Sequence, residues 1–224
     1  MRPTFDPVLY LVTDTELCRP RPVADVVRAA VAGGVTAVQV RDKLASRRDL
    51  LALTRAVQAA LAGAPQVRVV VNDAVDVALL ADADGVHIGQ EDLGAKEVRA
   101  LIGPHRLLGL SVSSRADLDA ALALPTGTLD LVGLGPVWGT PTKPDAGPAM
   151  GVAGIRHLAS AARAGGLTAV AIGGISADRA ADVAATGVDG ICVVSAVCAA
   201  ADPGVAATKL RAEFSRGRPV EVTP

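Results

Sequence analysis

Three observations predict a closed (β/α)8 barrel. Eight short runs rich in Val, Ile and Leu recur along the 224 residues, separated by Ala/Leu/Arg-rich segments with helical spacing. One β-α unit is repeated almost verbatim, and repetition of that unit favours closure. No Gly-x-Gly-x-x-Gly fingerprint follows the first run, as an open dinucleotide-binding sheet would carry. The length suits one domain over residues 1–224 with a single sizeable core.

In chain order the runs are VLYLVT (8–13), TAVQV (36–40), VRVVV (67–71), DGVHI (84–88), RLLGLS (106–111), LDLVGLG (129–135), TAVAIG (168–173) and DGICVVS (189–195). Most lack strict apolar–polar alternation, the pattern of strands covered on both faces. Between them, segments such as PVADVVRAAVAGG, SRRDLLALTRAVQAALAG and SSRADLDAALAL read as helices. AAVAGGVTAV (29–38) and AARAGGLTAV (161–170) agree at eight of ten places. Each reads as helix end, glycine pair and next strand, because glycine past a helix end supplies the left-handed cap. After Phe214 the stretch SRGRPVEVTP reads as a flexible tail, about 215–224.

Composition narrows the partners. A formal charge of −1 and a pI near 6.3 give no global attraction to nucleic acid or an anionic membrane, so any anion must be met locally. The N-terminus MRPTFDPVLYLVTD lacks the layout of a secretory signal, and no apolar run reaches the roughly 18 residues of a membrane span. A soluble, unexported, cytoplasmic protein is expected. Cys18, Cys192 and Cys198 are odd in number and lack metal-ligand spacing, which suggests neither disulfide framework nor zinc site. Cys192 reads as core packing. Nothing in the sequence fixes an oligomeric state.

The two ends of the strands differ. Turn formers (Gly34, Pro65, Pro104, Gly166) precede them, whereas polar groups follow: Thr13-Asp14, Gln39 to Lys43, Asn72-Asp73, Gln90 to Asp92, Ser111, Gly173-Gly174 and Ser195. In a barrel these C-terminal ends converge on one face, where active sites are built. QVRDK places Gln39, Arg41 and Lys43 at alternate positions, an anion clamp if the chain stays extended and otherwise an ordinary charged loop. Asp73 and Asp92, from neighbouring strand ends, suit a Mg2+ ion that bridges to a phosphate; the alternative is that each caps a helix. Gly173-Gly174 and Ser195 suit a phosphate held by backbone amides, or simply a tight turn. The Pro/Gly-rich loop GLGPVWGTPTKPDAGPAM (133–150) can be neither helix nor regular strand, and its length suggests function. His87 reads as a satisfied core histidine. No nucleophile signature appears, so covalent catalysis is not indicated.

Taken together, LYLVTD, QVRDK, VND-VDVAL, ADGVHIGQED, GLSVSS, GLGPVWGTPTK, AIGGI and VVSA resemble, in order and spacing, the thiamine-phosphate synthase family over about residues 8–212. That family is a (β/α)8 fold joining 4-amino-2-methyl-5-hydroxymethylpyrimidine diphosphate to a thiazole phosphate, with release of diphosphate. The resemblance implies that Gln39, Val40, Arg41, Asp42, Lys43, Asn72, Ser111 and Lys143 hold the pyrimidine diphosphate. Arg41, Lys43, Ser111 and Lys143 are its catalytic group. It further implies Thr140, Pro141, Thr142, Gly174, Val194 and Ser195 at the thiazole phosphate, and one Mg2+ per subunit on Asp73 and Asp92. This sequence departs from the family pattern at Val40, where Leu is expected, at Ala74, where Arg is frequent, and at Trp138-Gly139, where Phe-Pro or Phe-Ala is usual. Two other readings are a thiazole tautomerase, for which a histidine is expected beyond the fifth strand where Ser111-Val112-Ser113 stands, and a non-catalytic phosphate sensor.

Overall fold

The computed structural model describes residues 4–140 and 147–218. Eight strands, β1 (Leu9–Val12), β2 (Ala37–Val40), β3 (Arg68–Asn72), β4 (Gly85–Ile88), β5 (Leu107–Val112), β6 (Leu131–Leu134), β7 (Thr168–Ile172) and β8 (Gly190–Val193), pair in parallel in sequence order. β8 closes on β1 through Leu9–Ile191, Tyr10–Cys192 and Leu11–Val193, completing the barrel expected from the sequence.

Helices α1 (Thr15–Cys18), α2 (Val23–Ala32), α3 (Arg47–Ala60), α4 (Val75–Leu80), α5 (Ala95–Ile102), α6 (Arg115–Leu122), α7 (Gly151–Ala164), α8 (Ala177–Ala184), α9 (Ser195–Cys198) and α10 (Pro203–Gly217) surround it. Asp14, Ser46, Ser114 and Asp202 cap their helices with side-chain oxygens, each satisfying amides that a helix start leaves without partners. The single-turn helices α1 and α9 were not evident from sequence periodicity, being too short to show one. At the C-terminus, α10 continues through Gly217, so Ser215, Arg216 and Gly217 are helical where the tail was expected to begin at 215.

Burial on both sides explains the non-alternating strands. Tyr10, Val70, Leu107, Leu131, Val170 and Cys192 point inward and fill the barrel, while Leu11, Val38, Val40, Val71, Val86 and Ile88 point outward against α-helical Val27, Val57, Val98, Leu118 and Ile155. Phe5 packs edge-on to Tyr10, with ring centroids 5.6 Å apart, and stops the barrel at its N-terminal end.

That end is also fastened by a recurring device. The residue before each even-numbered strand bonds the preceding strand with both its amide and its side chain. Thr36 Oγ1 accepts from Leu9 N–H at 3.1 Å, and carboxylate oxygens of Asp84, Asp130 and Asp189 accept from the N–H groups of Val69, Leu108 and Ala169, each at 2.8 Å. Their own amides donate back to the carbonyls of those same four residues. The three aspartate bonds are charge-assisted and so of the stronger kind, and the whole set spends the polar groups of this face on structure. A cavity of about 410 Å³ there, bordered by Phe5, Thr168, Asp189 and Arg218, contains none of the expected site residues.

Candidate active site

At the opposite face the strand ends bring most of the polar groups together. Asn72 ends β3, and Asp73 follows it with φ of 58°, a left-handed backbone that only a few non-glycine residues adopt. Its amide donates to His87 carbonyl on β4 at 2.8 Å, which pins the turn. α4 starts after Ala74, and α5 after Gly94, so neither Asp73 nor Asp92 caps a helix and the capping alternative is removed for both.

Lys43 Nζ donates to Asp73 Oδ2 at 2.5 Å, and the Asp92 carboxyl lies within hydrogen-bonding reach of Asp73. Asp92 is itself held by Gly89 N–H, which donates to it at 2.7 Å. The two acids respond oppositely. Burial and the adjacent Asp73 charge push the Asp92 carboxyl above its usual range. Burial would raise Asp73 as well, but the Lys43 ammonium, Asp92 and Asn72 outweigh it and hold Asp73 low. Charge therefore concentrates on the Asp73–Lys43 pair, and Asp92 is the more easily protonated of the two acids.

No group of three or more His, Cys, Asp or Glu ligands occurs among the described residues. A pair of carboxylates is nevertheless the donor set of a hard divalent ion that takes its remaining oxygens from substrate and water. Asp73 and Asp92 fit Mg2+ in that sense.

The alternation expected for QVRDK holds only in part. β2 ends at Val40; Gln39 points into the barrel, where its amide donates to Tyr10 hydroxyl at 3.2 Å, and Val40 packs outward among the helices. Val40 can therefore offer a substrate only its main chain. Beyond the strand, Arg41 Nη1 stands 3.7 Å from Asp14 Oδ2, and the Asp42 carboxylate turns back to accept from Thr15 hydroxyl and from the amides of Leu44 and Ala45. Asp42 is thus committed to shaping the loop.

Ser111, on β5, shares a 3.0 Å hydrogen bond between its Oγ and His87 Nε2, and its carbonyl accepts from Gln90 Nε2 at 2.6 Å. His87 is buried, as a core histidine would be, yet it faces inward at the site and contacts a predicted site residue. Two inward glycines make its room: a Cβ on Gly109 would stand 2.3 Å from His87 Nδ1, and one on Gly133 3.3 Å from Cε1. Small residues on the strands facing an inward histidine were the available signal.

The third group surrounds Gly173 and Gly174, with φ of 108° and 64°. A Cβ on Gly173 would approach Pro136 Cα to 2.7 Å, and one on Gly174 would approach Trp138 Cβ to 2.9 Å. The glycines therefore let the stem of the 133–150 loop lie on the end of β7, where Val137 and Trp138 amides donate to Ile172 and Gly173 carbonyls at 2.9 and 3.1 Å. Arg179 covers this junction, stacking 4.8 Å from the Trp138 ring and donating to Gly174 carbonyl at 3.0 Å. Sequence reading had no signal for Arg179. Thr140 is half-buried at the end of the stem, Val194 packs on the inner cluster, and Ser195 is exposed at the start of α9. Pro141, Thr142 and Lys143 lie outside the described residues.

The family profile described as thiamine monophosphate synthase matches residues 9–197. The chain belongs to the thiamine monophosphate synthase family. It is 48% identical over 218 residues to the thiamine-phosphate synthase of Solidesulfovibrio magneticus, spanning 97% of this chain and 100% of that one. With the thiamine-phosphate synthase of Albidiferax ferrireducens it shares 45% over 205 residues, 91% and 90% of the two chains. The solved thiamine phosphate pyrophosphorylase from Pyrococcus furiosus superposes with a TM-score of 0.81 at 36% identity, covering 93% of this chain and 96% of that one. Membership in the thiamine monophosphate synthase family carries thiamine-phosphate synthase function in thiamine biosynthesis and places the chain among the transferases. Its members act on small phosphorylated molecules, which agrees with a rim of cations and carboxylates. Among the described residues no helix is long and apolar enough to cross a membrane.

Proposed function

We propose that this chain joins 4-amino-2-methyl-5-hydroxymethylpyrimidine diphosphate to 4-methyl-5-(2-hydroxyethyl)thiazole phosphate, or its carboxylated form, through a new C–N bond, releasing diphosphate. The observation that carries this reading is the convergence of Lys43, Asp73 and Asp92 from the ends of β2, β3 and β4, with Arg41 on the same rim.

Diphosphate leaves well only when its growing charge is met, and groups fixed before the reaction meet it at the lowest reorganisation cost. Arg41, Lys43 and Lys143 take that role, while Gln39, Asn72 and Ser111 orient the pyrimidine ring and Asp42 shapes the loop that carries the cations. Mg2+ on Asp73 and Asp92 would add Lewis-acid stabilisation of the leaving group when bound. Departure generates a pyrimidine-methyl cation, relieved by electron donation from the exocyclic amino group and trapped by the thiazole nitrogen. Thr140, Pro141, Thr142, Gly174, Val194 and Ser195 hold the thiazole phosphate in line for that attack. An enclosed site would keep water from trapping the cation first. No nucleophile or strong base is required, consistent with a site built of cations, carboxylates and neutral polar groups.

The test is diphosphate release with both substrates, with one omitted, and across a Mg2+ titration, accompanied by direct calorimetry of Mg2+ binding. Release that requires both substrates and the metal supports the reading. Saturable binding of the phosphates without release would make the chain a sensor.

A further inference from the structure

Thr13 and Asp14, which close the LYLVTD stretch, and Thr15, which follows it, have no part in the mechanism above, yet all three side chains grip the loop that carries Arg41. Thr13 is fully buried; its hydroxyl accepts from Arg41 N–H at 2.9 Å and donates to Arg41 carbonyl at 3.1 Å, while its own amide donates to Gln39 carbonyl at 2.9 Å. Asp14 Oδ2 faces Arg41 Nη1 at 3.7 Å, and its Oδ1 caps α1 by accepting from Leu17 N–H at 3.1 Å. Thr15 hydroxyl donates to Asp42 Oδ2 at 2.7 Å.

The reason lies in how the β1–β2 ladder ends. Main-chain pairing stops after Thr13 N–H meets Gln39 carbonyl, and the two chains part before Arg41 can pair with a backbone neighbour. Both polar groups of Arg41's main chain are then served by one side chain. Only a group that donates and accepts at once can do that, and a hydroxyl is the smallest such group. Branching at Cβ restricts the threonine rotamer, so the hydroxyl holds one position and the Arg41 backbone is held with it.

We propose that Thr13 is a positioning residue for Arg41: its buried hydroxyl fixes the direction in which the guanidinium leaves the rim, and Asp14 steadies the guanidinium itself. This rests on reading Arg41 as a diphosphate-binding group. Removing the hydroxyl frees the backbone of Arg41 to turn, so the charge remains but its aim is lost.

The variants are Thr13→Val, which keeps the shape and deletes the hydroxyl, Thr13→Ser, which keeps the hydroxyl, Arg41→Ala, and Thr13→Val combined with Arg41→Ala. The probe is inorganic diphosphate binding by calorimetry in the presence of Mg2+, together with KM for each substrate and thermal unfolding. Thr13→Val is expected to weaken diphosphate binding about tenfold and raise KM for the pyrimidine diphosphate, leaving KM for the thiazole phosphate unchanged. Thr13→Ser should stay within about twofold of the parent, and Thr13→Val should add nothing once Arg41 is absent. An equal loss from Thr13→Val in both backgrounds, failure of Thr13→Ser to rescue, or parental binding by Thr13→Val when Arg41→Ala is impaired would each overturn the positioning role. Parental binding by Arg41→Ala would remove Arg41 from the diphosphate site, and the proposal with it. Should Thr13→Val not fold, Thr13→Cys, with a weakly hydrogen-bonding thiol of similar size, is read by the same criteria.

Discussion

Replacing Gly109 by alanine probes the contact between barrel interior and active site. The added Cβ would stand 2.3 Å from His87 Nδ1 and 3.2 Å from both Cγ and Cε1, far inside van der Waals contact. β5 is locked between β4 and β6, so the imidazole must yield, and its 3.0 Å bond to Ser111 is lost with it. Overpacking of this kind costs about 1–3 kcal/mol. For a chain of this size each kcal/mol lowers the unfolding midpoint by roughly 2–4 °C, giving a fall of about 2–12 °C. Turnover should fall as well, because Ser111 loses the partner that orients its hydroxyl. The cost belongs to one pair of residues, so a double-mutant cycle isolates it. In a His87→Ala background the ring is gone, and Gly109→Ala should cost less than about 0.5 kcal/mol while partly filling the vacated space. Calorimetric unfolding of the four proteins, with turnover measured on each, completes the cycle. An equal penalty for Gly109→Ala in both backgrounds would show that the clash lies elsewhere and that His87 does not link the core to Ser111.

Other expectations concern separate parts of the rim. Arg179→Ala removes the stack on Trp138 and the bond to Gly174; an exposed cation–π contact contributes about 0.5–1 kcal/mol, so thiazole-phosphate affinity should drop two- to fivefold while diphosphate affinity is retained, both read by calorimetry. Asp92→Asn should raise the Mg2+ concentration that supports half-maximal activity, and an unaltered metal titration would take Asp92 out of the site. Lys143→Ala should depress turnover far more than thiazole-phosphate binding, since its charge is assigned to the leaving group; equal losses in steady-state kinetics and in calorimetry would contradict that. For Asp42 and Asp117, burial raises the carboxyl, but hydroxyl and amide donors outweigh it and hold both below the ordinary range. Their folded values thus lie under the unfolded value of about 3.9, so the stability they contribute is complete above that pH and drains away as acid titrates them in the fold. Asp117→Asn should lower the neutral plateau of the pH–stability curve and thereby flatten its acid limb, the two proteins converging at low pH; an unchanged plateau in calorimetric unfolding would contradict this.

What the sequence made legible follows from how local each signal is. A strand covered on both faces is written in its own residues, and the eight runs therefore overlap the eight strands. Lys43, Asp73 and Asp92 were legible because each sits just past a strand, where parallel topology collects side chains without further detail. Val40 shows the limit: a spacing of two told inward from outward correctly for Gln39, but the strand stops there, and Arg41 and Lys43 are aimed by loop contacts. Thr13, His87 and Arg179 act through partners on other segments. The Thr13 hydroxyl meets a backbone 28 positions away, and His87 meets Ser111 across 24. Threonine at a strand end and histidine in an apolar run look the same whether or not such a partner exists.

The two faces of the barrel then divide the problem between them. At the N-terminal face, Thr36, Asp84, Asp130 and Asp189 each spend a side chain on the neighbouring strand, fixing register where nothing needs to move. At the other face the strand ends are fastened by residues that also border the site: Asp73 is kept in its left-handed turn by His87 carbonyl, and Arg41 is held by Thr13. A left-handed aspartate costs of order 1–3 kcal/mol and persists only where its surroundings over-determine it. The rigid lower ladder is what permits that, because a strand free to slip would relax Asp73 and carry Lys43 and Asp92 out of register together. Loosening the floor by Asp84→Ala should therefore weaken divalent-ion binding at the far rim in proportion to the slackening of β3 against β4. A variant that unfolds more easily yet binds the ion as the parent does would show that the rim holds itself.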